Sequence, residues 1–97
     1  MTEIERIISE IRENMPYLRE QYNVKSLGVF GSYVRGEEKK RSDVDILVEF
    51  EEPVTLLEFL ALERRLNEFI GKKVDLVMKT ALKPKIGERI LEEVVYV

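Results

Sequence analysis

A chain of 97 residues fits one domain, 1–97, and leaves little room for a second. Apolar residues make up 44%, charged residues 36%, and the net charge is −3, a globular composition that argues against a protein coating nucleic acid through phosphate contacts. Cysteine and histidine are absent, which excludes disulfides, thiol chemistry, histidine bases and the usual zinc sites. Any acid–base or metal chemistry must then run on carboxylates, which suit hard ions such as magnesium. The lack of cysteine fits a reducing cytoplasm. No apolar run approaches the roughly 20 residues of a membrane span, and "MTEIERIISE" is acidic and amphipathic, unlike a signal peptide. Abundant Glu, Lys and Arg suit a thermophile.

Along the chain, residues 2–22 predict a helix. Ile4, Ile7, Ile8, Ile11, Met15 and Leu18 recur at helical spacing, and Thr2 with Glu5 has the spacing of a capping box. Pro16 is expected to kink or divide it. Residues 25–30, "KSLGVF", read as a first strand ended by Gly31, with a short helical turn after Ser32. Residues 35–42 are a polar loop. Residues 43–50, "DVDILVEF", read as a second strand with Val44, Ile46, Val48 and Phe50 on one face and Asp43, Asp45, Leu47 and Glu49 on the other. Thr55 and Glu58 repeat the capping-box spacing ahead of "LLEFLALERRLNEFI". That helix is expected to gather Leu56, Phe59, Leu60, Leu66, Phe69 and Ile70 on one side and to stop at Gly71. Residues 73–79 read as a third strand, and Pro84 opens a last helix over "PKIGERILEEVVYV".

The order strand, helix, strand makes the second and third strands parallel neighbours, so both begin at the same sheet edge. The connection from the first strand to the second is about twelve residues with no long helix, which favours an antiparallel pair. Gly31 and Ser32 then end the first strand at the edge where Asp43, Asp45 and Asp75 begin the other two. The expected fold is α/β (α+β): a small mixed sheet of at least three strands with helices packed on it.

Residues i and i+2 of a strand point to one face, so the carboxylates of Asp43 and Asp45 can share two neighbouring cations, with Asp75 supplying a third. Three acids so close repel one another, and without metal at least one should have a raised pKa. Two magnesium ions held there can bridge the phosphates of a nucleoside triphosphate. Gly31 allows close backbone approach to a phosphate, Ser32 offers a hydroxyl and backbone N–H groups, and Arg35 is near enough in sequence to reach a phosphate oxygen. Taken singly, Gly-Ser is usually a turn, Asp-x-Asp a solvated loop, and Asp75 a strand start paired with Lys72 or Lys73. Their convergence is what stands out. "KKR" at 39–41 reads more readily as a solvated loop than as a steering patch, and Tyr33 as a core residue at least as readily as a base-stacking one.

Gly-Ser, a ten-residue spacer and Asp-x-Asp in "GSYVRGEEKKRSDVDILVEF" resemble the signature of the polymerase-β-type nucleotidyltransferase superfamily. Short length, "VDLV" with its third acid and the closing "LKPKIGERILEEVVYV" resemble the minimal nucleotidyltransferases, the MntA-like antitoxins paired with HEPN-domain toxins. The resemblance covers nearly the whole chain. It implies transfer of a nucleoside monophosphate, AMP from ATP, to a hydroxyl, typically a tyrosine, on the partner toxin. It also implies that Asp43 and Asp45 hold both metals, that Asp75 holds the catalytic one, and that Gly31 and Ser32 grip the triphosphate. Larger members add a second domain, so a partner or a second copy of the chain is expected to complete the nucleotide pocket here. The last helix and "EEVVYV" are candidate docking surfaces, although Ile90, Leu91, Val94 and Val95 more readily just cover the sheet. Two alternatives stay open: an acceptor hydroxyl on RNA or a small molecule, and a binding module that neutralises a partner by contact alone.

Overall fold

The computed structural model describes residues 1–97 and runs α1 (Glu3–Tyr22), β1 (Val24–Phe30), α2 (Ser32–Arg35), β2 (Val44–Phe50), α3 (Leu56–Ile70), β3 (Val74–Met78), a single 3₁₀ turn (Lys79–Ala81), α4 (Pro84–Glu93) and β4 (Val95–Tyr96). The four strands form one sheet in the order β3-β2-β1-β4. β1 runs antiparallel to β2, and β2 parallel to β3, as the connection lengths require.

Both long helices start where their caps put them. Thr2 and Thr55 each accept from the backbone N–H three residues on, and Glu5 and Glu58 reach back to close the box. Gly71 ends α3 in the left-handed conformation that glycine adopts without strain. Pro16 does not divide α1, which is one continuous helix. Pro16 and Arg12 lie on the exposed side, so water can serve the carbonyl that the missing N–H leaves free.

The core lies between one face of the sheet and the pair α1–α3. Ile7, Ile11, Met15 and Leu18 of α1 meet Val44, Ile46 and Val48 of β2 and Leu62, Leu66 and Ile70 of α3. The buried stripe of α3 is therefore rotated from the expected one. Leu62 belongs to it, whereas Leu56 and Leu60 face solvent, because the strand pair below sits under the 59–62–66–70 side.

The last helix is shorter than its sequence suggests. It stops at Glu93, and Val95–Tyr96 pairs antiparallel with β1, opposite Val29 and Gly28. Two β-branched residues and an aromatic favour extended backbone, and the open edge of β1 offers the partner. Gly28 makes room for this strand: a Cβ there would collide with Val94 and crowd the Tyr96 ring.

The opposite edge of the sheet, at β3, is closed by side chains. Asn67 Oδ1 accepts from the Val74 N–H at 2.6 Å, and Glu63 Oε2 accepts from the Leu76 N–H at 3.0 Å. These bonds satisfy the outward donors on either side of Asp75 and fix the strand that presents it. Asn67→Ala leaves the nearly buried Val74 N–H without its acceptor and should cost about 1–3 kcal/mol. Urea unfolding should show a lower midpoint with an unchanged slope.

Candidate active site

Alternation along the strands sends Val44, Ile46, Val74 and Leu76 into the core and turns Asp45 and Asp75 to the opposite face. Asp45 and Asp75 stand directly across from each other in the β2–β3 register, and Phe30, at the end of β1, is opposite Asp45 on its other side. Three strand ends thus meet at one edge, as the order of elements implied. Asp43 lies one residue ahead of β2 rather than within it. Its carboxylate is 3.9 Å from the Lys73 Nζ. The lysine that could have paired with Asp75 is therefore engaged, loosely and in solvent, by Asp43.

Gly31 is the tightest point of the site. Its φ of +80° is a conformation that side-chain-bearing residues rarely adopt, and the space a Cβ would need is already filled by the carboxylate of Asp45. Glycine is thus demanded twice, by backbone shape and by close approach. Gly31 caps the single turn of α2, and its carbonyl accepts from the N–H groups of Val34 and Arg35. Ser32, half-buried, opens that turn. Tyr33 points the other way and is buried in the core, its hydroxyl donating to the Ser42 carbonyl at 3.4 Å, so it has no face left for a base. Lys39, Lys40 and Arg41 lie in an exposed loop.

On the outer face α4 stands off from the sheet and leaves a cleft of about 520 Å³. Gly31, Arg35 and Asp45 line one side, and Ile86, Arg89 and Ile90 line the other. Glu93, at the end of α4, bridges the two. Its Oε2 accepts from the Gly31 N–H at 2.6 Å, and its two oxygens lie 3.0 and 3.1 Å from Nη1 of Arg35. Arg35 also donates from Nε to Glu37 at 3.0 Å. The arginine expected to meet a phosphate is thus held by two carboxylates of its own chain. Sequence reasoning missed Glu93. Its only signal was an acid at the end of a helix, and nothing in spacing says that this helix folds back over residue 31.

The pKa of Asp45 is pushed up to about 6, by half-burial first and then by repulsion from Asp75 and Asp43, only partly offset by Arg35. The expected perturbed acid is therefore Asp45, with burial rather than mutual repulsion as the larger cause. The donor set fits a hard divalent cation: carboxylate oxygens only, converging on one face, with repulsion that a cation relieves. No three acidic side chains enclose an ion by themselves, so the remaining ligands would come from water and from a bound phosphate, as is usual for magnesium.

Comparison with known proteins agrees with this geometry. Residues 5–97 match the nucleotidyltransferase domain family. The chain belongs to that family. It is 53% identical, over 97 residues, to the protein adenylyltransferase MntA of Thermococcus cleftensis, covering 100% of this chain and 98% of that one. A solved structure provisionally described as a minimal nucleotidyltransferase superposes with a TM-score of 0.74 at 38% identity, over 87% of this chain and 86% of the other. The antitoxin fold is shared as well. A structure of a tri-AMPylated Shewanella oneidensis HEPN toxin in complex with MNT antitoxin aligns with a TM-score of 0.60 at 20% identity, over 97% of this chain and 67% of that one. The chain is thus a nucleotidyltransferase with the polymerase-β-like fold, as the Gly-Ser and Asp-x-Asp spacing implied.

The raised pKa of Asp45 has a sign for stability. The folded chain binds this proton more tightly than the unfolded chain, so stability falls as pH rises from about 4 through 6, and the cost is full above that. Asp45→Asn removes the charge while keeping the shape. At pH 7.5 and without metal it should stabilise the fold by roughly 1–2 kcal/mol, the shift being discounted for solvent screening. At pH 4 the gain should vanish, which thermal melts at the two pH values will read.

Proposed function

We propose that this chain transfers AMP from ATP to a hydroxyl of a HEPN-domain partner, a tyrosine by the resemblance, and acts as its antitoxin. One observation carries the reading: Asp45 and Asp75 face each other on adjacent parallel strands, with the Gly31 backbone pressed against the Asp45 carboxylate. That pairs a carboxylate platform with a backbone N–H that already takes an anionic oxygen, that of Glu93, and a surface used only for docking needs neither. The 53% identity to a protein adenylyltransferase over the whole chain supports the same donor and acceptor class.

Asp43 and Asp45 would hold magnesium, with Asp75 completing the set, and the ions supply charge neutralisation at the phosphates and a more acidic acceptor hydroxyl. The chain's own residues do the rest. Gly31 and Ser32 offer N–H and O–H donors to the triphosphate, and Arg35 is within reach of the same oxygens. The cleft under α4 seats the nucleotide, with Ile86 and Ile90 as an apolar wall. The acceptor oxygen attacks the α-phosphorus, the bond to the bridging oxygen breaks, pyrophosphate leaves, and the hydroxyl proton passes to a carboxylate, Asp75 being the exposed one best placed to meet an incoming acceptor. The acceptor comes from outside residues 1–97, and the open side of the cleft is where the partner would dock.

The test mixes the purified chain with magnesium, labelled ATP and its candidate HEPN toxin, and weighs the products. Each AMP should add its mass to the toxin, and Asp43→Ala, Asp45→Ala and Asp75→Ala should slow this by at least about a hundredfold. Neutralisation of the toxin by the triple variant with no adduct would overturn the reading. Label on RNA would replace the acceptor.

A further inference from the structure

Glu93 fills the position that the proposed function gives to a phosphate. Its carboxylate accepts from the Gly31 N–H and faces the Arg35 guanidinium, the two donors assigned to the triphosphate. Carboxylate and phosphate oxygens seek the same partners: backbone N–H groups and guanidinium forks. The single Gly31 N–H cannot serve both at once, and Arg35 already gives Nη1 to Glu93 and Nε to Glu37. Glu93 is also set where it adds negative charge beside Asp45, so the empty platform carries a further acid that a triphosphate would have to meet.

The element that carries Glu93 is lightly held. Within α4 only Gly87 is buried, against Leu82, while Ile86 and Leu91 are largely exposed. Beyond those contacts, α4 is anchored by the two-residue strand β4 and by Glu93 itself. Arg89, one turn back on the same face of α4, lines the cleft. It is at the i, i+4 spacing from Glu93, so a released Glu93 has a cation within reach on its own helix.

We propose that Glu93 is an internal occupant of the triphosphate site, and that nucleotide binds by exchanging a phosphate for this carboxylate at Gly31 and Arg35. The proposal rests on the phosphate role of those two residues. It makes α4 a latch: closed on itself without nucleotide, and released when the triphosphate arrives. The cost of opening lowers apparent nucleotide affinity by the fraction of molecules in which the latch is closed. A chain closed about nine times in ten binds roughly tenfold more weakly than one with no latch.

Calorimetry with inorganic tripolyphosphate and with ATP, both with magnesium, tests this on the full chain. Glu93→Gln removes the charge, and Glu93→Asp keeps the charge but shortens the reach. Both should bind tripolyphosphate and ATP about tenfold more tightly than the unaltered chain. Glu92→Gln, an exposed neighbour of the same charge that lines no part of the cleft, should change neither affinity by more than about twofold. Equal tightening in Glu92→Gln and Glu93→Gln would show a bulk charge effect and overturn the latch. Unchanged or weaker binding in both Glu93 variants, with melting temperatures near that of the unaltered chain, would overturn it too and make Glu93 a support of the site. If the unaltered chain and all variants fail to bind either compound, the phosphate grip itself falls.

Discussion

Everything at this site depends on one approach: the Gly31 backbone lies where it touches the Asp45 carboxylate. A residue with a side chain there would be strained at that φ and would push the Asp45 carboxylate out of its place, and the antiparallel pair of β1 and β2 is what sets Gly31 beside the acids. The contact also half-buries Asp45, and that burial is the main reason its pKa rises. A carboxylate kept in such a position costs stability unless a cation joins it. The chain accepts the strain because the same desolvation strengthens its hold on whatever charge the site is built to bind.

The scaffold around this contact is asymmetric. One face of the sheet holds the main core cluster, with α1 and α3 packed on it and side chains of α3 closing the β3 edge. The other face carries the acids, the buried side chains of Phe30 and Leu47, and α4. A single core layer is what a chain of 97 residues can fill, and it leaves the second face free for chemistry. The outer helix α4 is thus packed far more lightly than the pair behind the sheet. The acids must be held in register, while the nucleotide must enter and pyrophosphate must leave.

Much of this was legible in the sequence, for reasons that differ by element. The caps at Thr2 and Thr55 and the stop at Gly71 are local, so sequence signals suffice for the helices. The parallel pairing of β2 and β3 follows from the helix between them, and with it the meeting of Asp45 and Asp75. The rotated face of α3 was not legible, since Leu56, Leu60 and Leu62 are equally apolar and only the docked position of the helix chooses among them. β4 was hidden because "EEVVYV" continues a helical pattern until the open edge of β1 is there to compete for it. Glu93 was hidden for the same reason: a contact between residues 31 and 93 exists only once β4 has turned α4 back across the sheet.

Those two hidden features are one device. β4 pairs with Gly28 and Val29, immediately before Phe30 and Gly31, so the strand that anchors the end of α4 is attached to the strand that leads into Gly31. Whatever displaces Glu93 from Gly31 acts on a helix tethered only a few residues away. Under the proposed latch, α4 would swing about β4 and widen the cleft that bears Asp45. Nucleotide binding and the shape of the cleft mouth would then be coupled through Glu93, because Gly31 and Arg35 would hold the chain shut and hold its substrate in turn.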